Sequence, residues 1–206
     1  LLNKATKYHS IEGLINHAKE RRETVALLCS KNTFAPYKTK FSNQNKYPLS
    51  REQAIKIIIG KVKKNMAVVS TTGMISRELN ENKKINQNTF YCVGGMGHAS
   101  VISKGIAQHS KSKKIICLDG DGALLMHLGA LPMIGEDCPK NFVHILLNNG
   151  VHGSVGNQKT MGFNIDFCKI ALASGYDDAL LVDNKKDLEE KIEINFKRKK
   201  CIFIEV

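Results

Sequence analysis

No apolar run in this 206-residue chain reaches the roughly 18–20 residues needed to cross a bilayer. The start lacks the basic-then-apolar pattern of a secretory signal. It also lacks an initiator Met and opens Leu-Leu-Asn-Lys, so the chain is expected to be a segment of a longer, cytoplasmic protein. None of the six cysteines (Cys29, Cys92, Cys117, Cys138, Cys168 and Cys201) forms a C-x-x-C pair. That removes zinc-ligand spacing and leaves reduced cysteines in apolar segments. Aromatics are scarce, at 6%, and acids number 19 against 31 Lys and Arg. A net charge of +12 invites a nucleic-acid reading, but stacking partners are few and the lysines are scattered. Only Phe196-Lys197-Arg198-Lys199-Lys200 forms a tight basic run. A solvated Lys-rich surface that favours small anionic ligands is the expectation, with no nucleic-acid or membrane partner.

What is present is an alternation of short apolar runs with helical periodicity. Residues 10–22 predict a helix, Thr24–Cys29 a strand, and the polar stretch 30–49 with Pro36 and Pro48 a linker. Ser50 and Gln53 form a capping box before a helix with Ala54, Ile57, Ile58 and Val62 on its apolar face. Strands follow at Met66–Ser70, Phe90–Val93, Lys114–Leu118, Val143–Leu147, Ala179–Val182 and Cys201–Val206. Helices are expected at Gly73–Leu79, from the 94–97 turn to Gln108, and at Gly122–Ile134, Ile165–Ser174 and Lys185–Phe196. Near-continuous apolar strands between helices predict an α/β fold: three layers, α/β/α, around a mostly parallel sheet. Ligands of such sheets bind beyond the carboxyl ends of the strands. The loops to inspect are therefore 70–73, 93–98, 119–123 and 148–160, all rich in Gly, Thr, Asp or Asn.

Asp121 stands between two glycines where a strand passes into a helix. Glycine lets backbone amides approach a phosphate closely, and a cation is needed to join that phosphate to the carboxylate. Mg²⁺ takes oxygen ligands and makes such bridges. Asn149, at the next strand end, offers an amide oxygen to the same ion if the two strands are neighbours. Asp119 reads as a loop residue. A P-loop is excluded, because G-x-x-x-x-G-K-[ST] is absent. Gly94-x-x-Gly97 lacks the full dinucleotide fingerprint.

These motifs resemble those of the phosphonopyruvate decarboxylase family, in its C-terminal thiamine-diphosphate-binding half. The likeness rests on "VVSTTGMISREL" (68–79), "VGGMGHAS" (93–100), "LDGDGALLMHLGALPMIG" (118–135) and "PKNFVHILLNNGVHGSVGNQKT" (139–160). "NTFAPYK" (32–38) and "LSREQAI" (49–55) look like that family's interdomain connection. Sulfopyruvate decarboxylase, whose cofactor half is often a separate subunit, is a close relative. The resemblance implies a pyrophosphate-binding domain over 49–206, preceded over 1–48 by the connection from a missing pyrimidine-binding domain. It implies that Asp121, the Asn149 side chain and the Val151 carbonyl bind Mg²⁺. Thr72, Gly73, Gly120, Gly122 and Ala123 would line the diphosphate. The Gly94 carbonyl would meet the cofactor's amino group, and Met96 would hold the cofactor bent.

The implied reaction is decarboxylation of 3-phosphonopyruvate to phosphonoacetaldehyde and CO₂. His98, His152, Gln158 and Lys159 are the candidates for the anionic end of the substrate. The activating glutamate would come from the missing domain or subunit, so a homo- or hetero-oligomer is implied and this segment alone is expected to be inactive. Three departures stand out: Met74-Ile75 in "TTGMIS", Gly153 after His152, and "GSVGNQKT" (153–160), which leans toward sulfopyruvate decarboxylase; another 2-oxo acid substrate is a further alternative. A non-catalytic module that kept the fold is the remaining alternative.

Overall fold

Residues 8–36 and 48–206 are described by the computed structural model, which falls into two units, Leu1–Asn43 and Gln44–Val206. In the first, the expected helix forms as α1 (Tyr8–Arg21), with Lys19 and Arg21 in its last turn, where the helix dipole favours cations. The strand expected at Thr24–Cys29 does not form. Only Cys29 makes an isolated bridge, and Leu27 and Leu28 stay exposed. An apolar run becomes a strand only when a neighbour takes its backbone groups, and the described residues of this unit provide no such ladder. Residues 31–36 of the expected linker are turns and irregular chain; 37–47 lie outside the described residues.

The second unit opens with α2 (Arg51–Lys61). Both halves of the capping box are made: the Gln53 amide donates to Ser50 Oγ (3.2 Å), and the Ser50 amide to Gln53 Oε1 (3.0 Å). Then follow β1 (Met66–Ser70), α3 (Met74–Asn82), β2 (Asn88–Tyr91), α4 (Ala99–His109), β3 (Lys114–Gly120), α5 (Asp121–Met126) and α6 (Ala130–Asp137). The chain continues through β4 (Phe142–Leu147), β5 (Val151–His152), β6 (Gln158–Lys159), a 3₁₀ turn at Gly162–Asn164, α7 (Phe167–Ala173), β7 (Asp178–Leu181), α8 (Lys185–Lys197) and β8 (Ile202–Glu205). Six strands form one parallel sheet in the order β2-β1-β3-β4-β8-β7. β5 and β6 make a small antiparallel hairpin inside the loop expected at 148–160.

Alternate residues of the strands point to opposite layers. Val68, Ile116, Leu118, Val143, Ile145, Ile202 and Ile204 pack under α2, α3 and α8. Val69, Ile115, Cys117, Phe142, Leu146 and Phe203 pack under α4, α6 and α7. The expected α/β/α sandwich is thus the one observed. Each fully buried Ile, Leu or Phe contributes about 1.5–3 kcal/mol, so these two faces dominate the stability.

Several details differ from the expectation. The helix read at Gly122–Ile134 is two helices: His127 leaves the helical region (φ −131°, ψ 50°), and Gly129, a weak helix former, precedes the restart. β2 ends at Tyr91 rather than Val93. The Val93 amide turns back to the Tyr91 carbonyl (2.9 Å), leaving its side chain 84% exposed. α2 buries Ile55 and Ile59 beside Ala54 and Ile58, while Ile57 only flanks the core.

The connections decide where a ligand fits. From β1 the chain runs through α3 to β2 on one side. From β3 it runs through α5 and α6 to β4 on the other. The ends of β1 and β3 therefore flank a topological switch point, the place where such sheets open a crevice.

Candidate active site

β3 ends at Gly120 and Asp121 opens α5. β3 pairs with β4 through Gly120↔Leu147, so Asn148 and Asn149 leave the sheet next to Asp121. The neighbouring strands required by a shared ion are therefore in place. On the far side of β3, β1 delivers Thr71, Thr72 and Gly73, and β2 beyond it delivers the 92–98 loop.

Asp121 is 2% exposed. Thr160 Oγ1 donates to its Oδ2, and the Gly162 amide donates to Thr160 Oγ1 (3.1 Å). Burial pushes the Asp121 carboxyl above its usual range; the Thr160 hydroxyl, the amides of Asp121 and Gly122, and nearby His152 oppose that shift. The folded chain therefore holds this proton more tightly than the unfolded chain. Stability due to this group should fall as pH rises from about 3.8 through the raised value. Urea-unfolding scans across that window should lose this component of the slope in Asp121→Asn. An unchanged slope would contradict the assignment.

Asn148 is buried and fully used. Its Nδ2 donates to Glu205 Oε1 (2.7 Å) and to the Gly162 carbonyl (2.9 Å), and its Oδ1 accepts from the Gly150 amide (3.2 Å). Burial also raises the Glu205 carboxyl, against the Asn148 hydrogen bond. Asn148 thus braces the loop that carries Thr160, while half-buried Asn149 stands at the edge of the site. Asn149 Oδ1 accepts the Val151 amide (3.2 Å), and the Val151 carbonyl accepts the Gly153 amide (3.1 Å). Gly162 is confined: a Cβ there would stand 2.8 Å from Asp121 Oδ2 and closer still to Asn148 Oδ1.

The other loops interlock with this one. Gly73, at φ +90°, precedes α3, and a Cβ on it would lie 3.3 Å from Ser154 Oγ. Gly97, at φ +83°, presses on the start of α5: a Cβ would lie 2.9 Å from the Ala123 carbonyl. Gly94 is exposed at φ +76° and Met96 is half-buried in the same turn. Gly122 lies against His152, with a hypothetical Cβ 2.6 Å from Nδ1. Of the four substrate candidates, His152 packs on this Asp121 turn, and His98 packs on His127 with ring centroids 4.4 Å apart. Gln158 and Lys159 are exposed on β6, Gln158 Nε2 donating to the Val155 carbonyl (3.4 Å).

Sequence reasoning passed over Thr160, Gly162 and Glu205 as site supports. It also misplaced Asp119. That residue lies inside β3, not in a loop, because the ladder with β4 continues two residues past Leu118, through Gly120. Its carboxylate is wholly buried, 2.9 Å from the Gly120 amide and 3.3 Å from His144 Nε2. No motif spacing announces these contacts, most of which join segments far apart in the chain.

The family described as "Thiamine pyrophosphate enzyme, C-terminal TPP binding domain" matches residues 69–206. A phosphonopyruvate decarboxylase of Streptomyces viridochromogenes is 41% identical over 127 residues, 62% of this chain and 32% of that protein. The chain thus spans about a third of the length of that relative. The sulfopyruvate decarboxylase subunit beta of Methanocaldococcus jannaschii is 37% identical over 156 residues, 75% of this chain and 81% of that subunit. Among solved structures, benzoylformate decarboxylase from Polynucleobacter necessarius aligns with a TM-score of 0.66 at 16% identity, covering 82% of this chain and 34% of that one. At such identity the likeness speaks for the fold.

Proposed function

We propose a function from one premise: the chain belongs to the thiamine pyrophosphate enzymes, through their C-terminal TPP binding domain. It is the cofactor-binding part of a Mg²⁺- and thiamine-diphosphate-dependent decarboxylase of small dianionic 2-oxo acids. The preferred substrate is 3-phosphonopyruvate, giving phosphonoacetaldehyde and CO₂. The observation that carries this reading is the pair of adjoining strand ends, with Asp121 and Asn149 leaving β3 and β4 side by side, next to the switch point between β1 and β3.

The residues suit the group. Asp121, Asn149 and the Val151 carbonyl are an all-oxygen donor set, which matches Mg²⁺. The glycines flanking Asp121 leave its backbone amides open to a diphosphate. Thr71, at the end of β1, has a buried Oγ1 with no hydrogen-bond partner, although its amide is taken by the Leu118 carbonyl (2.9 Å). A buried orphan hydroxyl is costly unless something arrives to meet it. In this reading Thr72, Gly73, Gly122 and Ala123 bind the diphosphate. The Gly94 carbonyl and Met96 orient the aminopyrimidine, and His98, His152, Gln158 and Lys159 are the substrate candidates. Bound thiamine diphosphate supplies the electron sink that decarboxylation of a 2-oxo acid requires. The chain's own part is to hold the ion at Asp121, to offer backbone amides to the diphosphate and to keep the glycine turns in shape.

Residues 1–48 then serve as the connection from a pyrimidine-binding domain that supplies the activating glutamate, and 49–206 as the pyrophosphate-binding domain. A second reading, a sulfopyruvate decarboxylase subunit, has its own support in the match across 81% of the M. jannaschii subunit. The test is a substrate panel on the full-length protein, or on this chain with its partner subunit, supplied with Mg²⁺ and thiamine diphosphate. Release of CO₂ from 3-phosphonopyruvate well above that from sulfopyruvate and pyruvate is expected. Preference for sulfopyruvate selects the second reading, and no turnover of any 2-oxo acid overturns both.

A further inference from the structure

Directly behind the Asp121 turn lies a polar chain in an otherwise apolar layer. Asp119 and His144 are 0% exposed and Tyr176 is 4% exposed. Tyr176 Oη is 3.0 Å from His144 Nδ1, His144 Nε2 is 3.3 Å from Asp119 Oδ2, and the Gly120 amide donates to Asp119 Oδ1 (2.9 Å). The rings of Phe142 and Phe203 enclose His144, with centroids 5.8 Å and 5.1 Å from its own.

The directions of these hydrogen bonds are consistent. Burial pushes the Tyr176 phenol well up, so it keeps its proton and donates to Nδ1. The imidazole then carries its own proton on Nε2 and donates it to Asp119. Asp119, an acceptor on both oxygens, has its second oxygen left for the Gly120 amide. Cys117 also lies near Asp119 and His144, with ligand atoms of the three within 4.8 Å of one another. An ion is not needed to account for the group. Both ring nitrogens and both carboxylate oxygens already have hydrogen-bond partners, and Cys117 meets Ser103.

We propose that Asp119, oriented by His144 and Tyr176, is a positioning residue that clamps the Gly120 amide and so sets the turn presenting Asp121 to its ligand. A carboxylate in an apolar layer is expensive to keep unless its hydrogen bonds are complete. Directing it at the Gly120 amide, in the last residue of β3 before Asp121, fixes the start of the site, while Thr160 fixes its far side. The consequence for cofactor binding rests on the proposed function; the clamp itself does not.

The test uses the full-length protein with ¹⁵N-labelled histidine and backbone amides. The wild type should show His144 protonated on Nε2. Tyr176→Phe deletes one hydroxyl and should speed exchange of the Gly120 amide about tenfold, a typical effect of one buried hydrogen bond, leaving the Ile202–Ile204 amides unchanged. Asp119→Ala should do the same and weaken Mg²⁺ binding in the presence of thiamine diphosphate about tenfold. Asp119→Asn should restore most of that affinity while reversing the His144 tautomer, since its amide now donates to Nε2; a merely space-filling role predicts no reversal. Gly120 exchange within twofold of wild type in both Tyr176→Phe and Asp119→Ala would overturn the clamp. If Asp119→Ala does not fold, Tyr176→Phe and Asp119→Asn decide. If the wild type binds neither Mg²⁺ nor cofactor, the proposed function falls, and Gly120 exchange still decides the clamp.

Discussion

Asp121→Ala is expected to weaken Mg²⁺-dependent binding of thiamine diphosphate by more than about a hundredfold, because removal of groups that merely support metal ligands already costs 10–100-fold. The other proposed ligands, the Asn149 amide and the Val151 carbonyl, are neutral. They leave the ion's charge unbalanced in a site where Asp121 itself is 2% exposed. The same substitution should leave the fold intact, since burial disfavours the ionised carboxylate when no cation is bound. Binding therefore falls while the fold is kept, which separates a ligand from a scaffold residue. Titration calorimetry on the full-length protein, with and without Mg²⁺, measures the first, and urea unfolding of the apo form measures the second. Affinity within twofold of wild type would remove Asp121 from the metal site.

Gly135→Ala is expected to carry the largest loss of stability, about 3 kcal/mol or more. Gly135 lies in α6, where it meets the end of α7. A Cβ on it would lie 2.6 Å from the Ser174 carbonyl carbon, closer still to that carbonyl oxygen, and 3.0 Å from the Gly175 Cα. All three are backbone atoms, so no side chain can swing away to make room. Gly175 returns the constraint at φ +102°, its own hypothetical Cβ being 2.9 Å from the Gly135 carbonyl oxygen. Relief requires α6 and α7 to separate, opening the layer that covers Phe142, Phe167 and Phe203. For a chain of this size the loss corresponds to roughly 6–12 °C in Tm. Gly129→Ala is the matched control. Gly129 sits at φ −61° with nothing within 4 Å of a Cβ, so alanine should be neutral or stabilising by about 0.4–1 kcal/mol. Equal melting temperatures for the two variants would refute the close-packed seam.

Much of the fold was legible because its signals are local. The parallel sheet follows from apolar runs such as Ile115–Leu118 and Phe142–Leu147, which are buried on both faces. The capping box at Ser50 and the glycines at 73, 94 and 97 follow from backbone conformations that few other residues supply. Thr24–Cys29 reads as a strand because a short apolar run looks the same whether or not a neighbouring strand exists. The break between α5 and α6 was missed because the apolar pattern continues across it; only His127 and Gly129 depart from the helix.

By itself the sequence determined the class of fold, the loops proposed to hold the chemistry, and Asp121 as the acidic centre of the candidate site. These depend on periodicity and on residues next to one another in the chain. Only the tertiary structure decided which side chains stand behind that centre. Thr160 reaches Asp121 across 39 positions, Asn148 reaches Glu205 across 57, and Asp119 meets His144 across 25. Such pairings depend on strand order and register, which place β4 between β3 and β8. A slip of one residue in either ladder would turn His144 to the other face of the sheet and leave the Asp119 carboxylate buried without its partner.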